Sequence, residues 1–408
     1  MADPKLPAAE KPGKRVRGDS AFRVTKSART AKWQWRRSLD EDTSYEWFKS
    51  IRFRDNGGEP FCPACECPKY YTIANRPKWW SCANPKCRKQ YSVTSGTIFH
   101  SRKIEFVRLV ELILRFAESA KGTSACELGI SADGAYTTLF VNLMKMREAM
   151  SSQRDHIMLG GTVEMDVGWF NGKIRKKNME VDRKNVKGRS AEYHLGKRAM
   201  FVARERGGKS VMFAADNETT DVAVATVREI VRPGGDTKVV TDHAPAYKGL
   251  ELIATHEVVN HEVGYKVNGI STNWAESAIS RPRRALIGVY HHWAPTWLDF
   301  YAGEMGWRAD NNRLGNLEQA IELVALACRH PQSRNLKGYW QHWQLPDDQR
   351  QRGEVRFARV HSNLVAKPPR KVQPRRPKKG AEEPDQGPVT VQKAKPFVGH
   401  GIPRPPPR

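Results

Sequence analysis

The chain has 408 residues, 39% of them hydrophobic, and carries 69 Lys or Arg against 44 Asp or Glu, a formal charge of +25. Its mean hydropathy is −0.66, and its best apolar run, Phe106 to Ala117, is broken by Arg108, Glu111 and Arg115, so integral membrane roles are excluded and a soluble, strongly basic protein of about two to three domains is expected. The polar, Pro/Lys-rich start offers no apolar segment to a secretion machine, which points to a reducing cytoplasmic setting.

Charge is concentrated at the ends. Residues 1–38 hold eleven Lys or Arg and three acids, and residues 367–408 hold the same numbers together with eleven of the 25 prolines. Such segments bury too little apolar surface to offset the entropy of ordering, so both are expected to be disordered basic arms suited to a polyanion such as DNA.

Residues 39–100 contain Cys62-Pro-Ala-Cys65 and, sixteen residues on, Cys82-Ala-Asn-Pro-Lys-Cys87. In a reducing setting two close Cys pairs read as four thiolate ligands for a structural Zn2+, and the flanking Pro and aromatic residues have the texture of a zinc ribbon. The second pair is spaced by four residues, and Cys67 competes as a ligand. Residues 101–152 show an apolar helical face from Ile104 to Phe116. A short helix opens at Thr123 or Ser124, a turn is expected at Gly129-Ile-Ser131, and a longer helix runs from about Asp133 to Met150, which together read as helix-turn-helix grammar for DNA binding.

Residues 158–312 alternate strand and helix patterns. Gly161 to Val167 predicts a strand with Val163, Met165 and Val167 on one face and Glu164 and Asp166 on the other. Strands at Ala199–Arg204 and Ser210–Ala215 join across Gly207-Gly208, a helix follows from Asp221 to Val231, and a strand ends in Thr241-Asp242. One more strand covers His256–Asn260, and a helix begins near Asn273. This order predicts an α/β fold with an RNase H-like mixed sheet. Residues 171–197 form a basic insertion with Lys173, Arg175, Lys176 and Lys177, read as a DNA-gripping loop. Residues 313–366 are expected to add a helical region, with a helix at Leu317–Arg329.

Glu-x-Asp166, Thr-Asp242, Val-Asn-His261, Thr-Asn273-x-x-Glu276-Ser and Tyr290-His-His-Trp occur in one chain behind a ribbon in which Trp80-x-Cys82 leads into Ser92–His100. In these residues the sequence resembles the DDE transposases of the ISXO-type group of bacterial insertion sequences over roughly residues 40–312. The resemblance implies a Mg2+-dependent enzyme of the bacterial cytoplasm, associated with the nucleoid. It would bind the terminal inverted repeats of an element in double-stranded DNA, cut there and join the ends to a target, as a homo-oligomer on DNA. It assigns Asp166, Asp242 and Glu276 as the catalytic, Mg2+-binding acids, Arg283 as a phosphate contact and Asn273 as either a helix cap or a DNA-facing residue. Hard cations want oxygen ligands, and phosphodiester transfer uses two of them, so three acids are the appropriate donors. Departures from the family are Val167, where an acid commonly stands, and Pro282, expected to kink the helix between Glu276 and Arg283. The alternative reading is a noncatalytic DNA-binding regulator or a degenerate transposase.

Overall fold

A computed structural model of the chain describes residues 22–336 except 133, 171–196, 234–235, 262–263, 265–269, 295–296 and 334. The basic insertion with Lys173, Arg175, Lys176 and Lys177 and both tails lie outside the described residues. Those described all fall within one unit of chain, Met1–Val365, and none of their helices is long and apolar enough to cross a membrane.

The N-terminal half is built on helices and a small sheet. Helix α1 (Trp33–Arg37) precedes α2 (Glu41–Arg52), whose start is set by Asp40 accepting from the Thr43 amide at 2.7 Å. Strands β1 (Tyr70–Thr72), β2 (Trp79–Cys82) and β3 (Gln90–Ser92) form an antiparallel sheet in that order. Helices α3 (Phe106–Glu118), α4 (Ala125–Ala132) and α5 (Tyr136–Gln153) follow. Ser124 accepts from the Glu127 amide at 3.1 Å and so caps α4. The turn expected at Gly129-Ile-Ser131 is instead helix, which runs to Ala132. Gly129 loses little by staying helical because α4 is held by the packing of Ala125 and Leu128. In α5, Asn142 through Ser151 is buried almost throughout, which leaves Tyr136, Thr137 and Thr138 of the first turn exposed.

The arm expected over residues 1–38 is corrected from residue 22 onward. Asn316 Oδ1 accepts from the Ala31 amide at 2.8 Å, the Asn316 amide donates to Ala28 O at 3.0 Å, and Arg36 pairs with Glu118 at 2.8 Å. These partners belong to helix α9 (Asn316–Arg329) and to α3; α9 packs on α2, α3 and α5 in one core with the ribbon.

The second half is a five-stranded mixed sheet. In chain order its strands are β4 (Thr162–Phe170), β5 (Arg198–Glu205), β6 (Ser210–Ala215), β7 (Lys238–Asp242) and β8 (Thr255–Val259), and their spatial order is β6-β5-β4-β7-β8. The first three form an antiparallel meander, while β7 and β8 run parallel to β4, as the RNase H-like α/β reading requires. Helix α6 (Thr220–Ile230) covers one face through Val222, Ala223, Val227 and Ile230. Helices α7 (Asn273–Ala285) and α8 (Leu298–Asp310) cover the other, around Ile279, Trp293, Tyr301 and Met305. Helix α7 is not interrupted at the buried Pro282; it runs to Ala285 and continues as a π-helical turn, Leu286–Tyr290. Trp293 and Trp307 are core, whereas Trp274 is 41% exposed, its ring against the Arg204 guanidinium.

The two halves are joined by buried charge. Arg147 of α5 donates to Glu304 of α8 at 2.6 Å and to Tyr290 at 3.0 Å. Arg308 completes the carboxylate at 2.8 Å while donating to the carbonyls of Phe116, Ala117 and Ser119 at the end of α3. Arg154 pairs with Asp299, which also accepts from the Ala214 amide of β6 at 2.9 Å. Between them the two arginines hold Glu304 below its ordinary range against the opposing effect of full burial.

Candidate active site

Strand pairing brings the first two acids together. Val163 pairs with Val239 and Glu164 with Val240 at the end of the parallel β4–β7 ladder; continued two residues, the same register sets Asp166 opposite Asp242, the last residue of β7, and the Asp242 charge acts on the Asp166 carboxyl. Side chains at paired positions of a parallel ladder point to the same face, here the one under α7. Gly168 lets that helix lie on the strand, since a Cβ there would come within 3.1 Å of Ile279 Cγ2. Glu276, in the first turn of α7, thereby joins the two aspartates.

The electrostatics register the meeting. Burial raises the Asp166 carboxyl to about 6, the negative charges of Asp242 and Glu276 add to the rise, and the Val167 amide and Arg283 oppose it. Asp242 Oδ1 accepts from the Ala244 amide at 3.2 Å. Glu276 Oε1 accepts from Thr272 Oγ1 at 3.1 Å and stands 3.4 Å from His261 Nε2. Arg283 is exposed two turns along α7. Asn273 is the first residue of α7 and exposed; the cap position belongs to Thr272. His291 and His292 are exposed.

Two residues were overlooked in the sequence. Glu218, between β6 and α6, accepts from Trp169 Nε1 at 3.3 Å; burial raises its carboxyl, and Asp242 and Asp166 raise it further. The signal was available, because Glu218 follows a strand and precedes a helix just as Asp242 does. Glu164, on the same strand face as Asp166, is fully buried. Its Oε2 accepts from the Trp274 and Ala275 amides at 2.7 and 3.3 Å and its Oε1 from Arg206 at 2.7 Å.

The three acids form an open cluster. Among the described residues, the only group of three or more His, Cys, Asp or Glu whose ligand atoms lie within 4.8 Å of one another is Cys62, Cys65, Cys82 and Cys87. An incomplete oxygen cage still suits Mg2+, which keeps several waters and relies on a few carboxylates and the phosphates of its substrate.

The cysteine quartet is closed. Sulfurs of Cys62 and Cys87 are 3.7 Å apart and those of Cys65 and Cys82 3.5 Å, against the roughly 3.8 Å that four thiolates take around a tetrahedral Zn2+ at about 2.3 Å. Cys67 turns away to the Lys69 carbonyl at 3.6 Å and is not in the group. A hydrogen bond from the Cys67 amide lowers the Cys65 thiol to about 7, while burial raises Cys82 to about 12. The four-Cys group therefore has the donors and spacing of a structural zinc site.

No curated protein matches the chain. Residues 158–310, which run from the turn before β4 to the end of α8 and contain Asp166, Asp242 and Glu276, match the family model of the ISXO2-like transposase domain.

Proposed function

We propose that the protein is a DNA transposase that binds the terminal inverted repeats of an insertion sequence and catalyses metal-dependent strand cleavage and strand transfer. The observation that carries the reading is the parallel β4–β7 register, which, continued two residues past Glu164 and Val240, sets Asp166 opposite Asp242 in a sheet covered on one face by the helix that carries Glu276. These three acids would hold the Mg2+ ions, and the bound cations would supply activation of the attacking oxygen and neutralisation of the leaving oxygen. The remaining roles fall to the chain itself. Arg283, exposed along the same helix, contacts a phosphate, and Asn273 at the helix start faces the DNA. Lys173, Arg175, Lys176 and Lys177, outside the described residues, grip the backbone. The exposed first turn of α5, Tyr136 to Thr138, occupies the part of a recognition helix that reads base edges. Two element ends must be held together, so the working form is a homo-oligomer on DNA.

The test is cleavage of a labelled fragment carrying the ends that flank the gene, with gel-shift binding as control. The native chain should cut at the 3′ end with Mg2+ or Mn2+. Asp242→Asn should lose cleavage by several orders of magnitude and keep binding, because a neutral side chain removes a metal ligand and leaves the DNA contacts intact. Binding without cleavage by the native chain under any divalent cation would return the protein to the class of DNA-binding regulators.

A further inference from the structure

Helix α7 has no cap of its own. Thr272 stands at the cap position but gives the helix no side-chain hydrogen bond; its hydroxyl is committed to Glu276 Oε1 at 3.1 Å and lies 3.2 Å from His261 Nε2. The first amides of a helix need acceptors when they are buried, and those of Trp274 and Ala275 find theirs 110 residues away in sequence, on Glu164 Oε2. The other oxygen of Glu164 is bound by Arg206, whose Nη2 donates in turn to the Ser271 carbonyl at 3.0 Å. A buried carboxylate on the central strand thus holds both the first turn of α7 and, through Arg206, the residue that leads into it. A negative charge also complements the positive end of the helix.

We propose that Glu164 is a positioning residue of the acid site. Asp166 lies two residues along the same strand and Glu276 two residues beyond the capped Trp274, so Glu164 sets the distance between them by pinning helix to strand. This rests on the reading of Asp166, Asp242 and Glu276 as the metal-holding acids. A buried glutamate that only stabilised the fold would act on melting temperature, whereas a positioning residue acts on the metal through Glu276 and is silent when Glu276 is gone.

The experiment measures Mn2+ binding to the full chain by electron paramagnetic resonance in four proteins: native, Glu164→Gln, Glu276→Gln and the double variant. Amide exchange of the first turn of α7 is followed in parallel. Removing the support behind a metal ligand typically costs about 10- to 100-fold in affinity. Glu164→Gln should therefore bind Mn2+ at least about tenfold more weakly than native and lose protection at Trp274 and Ala275. Added to Glu276→Gln it should cause no further loss of Mn2+ affinity. If Glu164→Gln does not fold, Arg206→Met, at a one-third exposed side chain, takes its place in the same cycle, with a smaller loss that also vanishes beside Glu276→Gln. Native-like Mn2+ affinity in the single variant, or an equal loss in both backgrounds, overturns the proposal. Failure of the underlying site reading looks different: the native chain itself would bind no Mn2+ and cut no DNA, and the positioning role would fall with it.

Discussion

Replacing Asp166 with Asn should stabilise the protein at pH 8 while abolishing cleavage. Its carboxyl is raised from the ordinary 3.8 to about 6, mainly by burial. A group whose folded pKa lies above its unfolded one holds its proton more tightly in the folded state, so ionisation opposes folding. The penalty is absent below about pH 4, where both states are protonated, grows between 4 and 6, and is complete above that. Two units at about 1.4 kcal/mol each set an upper figure of about 3 kcal/mol, and partial exposure of the site brings the expectation to about 2 kcal/mol. Asn keeps an oxygen for the Val167 amide, which donates to Asp166 Oδ1 at 2.7 Å, so no compensating loss is expected. Urea unfolding without added divalent cation, zinc left in place, should give the variant its advantage at pH 8 and none near pH 4. Millimolar Mg2+ should then stabilise the native chain and leave the variant unmoved, because a ligand stabilises only the state that binds it. An Asp166→Asn protein no more stable than native at pH 8, or one that gains equally from Mg2+, would refute the argument.

The native chain should hold one equivalent of zinc, and Cys82→Ser should lose it together with the β1–β3 ribbon, as read by metal analysis and circular dichroism; zinc-free native protein would end that assignment. Arg147→Met should lower stability by about 3–5 kcal/mol in urea titration, since it leaves the fully buried Glu304 with Arg308 as its one charged partner; a loss below about 1 kcal/mol would mean that the pair is not what holds α5 to α8. Deleting 1–21 and 367–408, the basic segments outside the described residues, should flatten the slope of log K against log salt for DNA while keeping preference for the element ends. An unchanged slope would mean that these segments do not touch DNA.

The sheet was legible because its strands carry alternating patterns, whereas Asp166, in the middle of β4, and Asp242, at the end of β7, stood out through the family resemblance. What escaped depends on partners far along the chain. Glu164 follows the alternation of an outward-facing residue, and only the docking of α7 turns that face inward. Residues 22–38 have the composition of a free tail, but Ala28, Ala31 and Arg36 are secured by Asn316 and Glu118, which no local pattern could announce. Pro282, expected to kink its helix, is buried within α7, which runs on to Ala285.

The buried seam of Arg147, Glu304 and Arg308 bears on how such a protein can be inherited. A portable cassette ought to end where few contacts cross, yet a cut at residue 158 strands Glu304 without Arg147 and Asp299 without Arg154. The segment that matches the family model is therefore not a unit of folding: transplanted alone it would carry Asp299 without Arg154 and Glu304 with Arg308 as its one charged partner. Exchanging the front of the chain for another would have to bring matching arginines with it, so the helical half and the mixed sheet are constrained to change together.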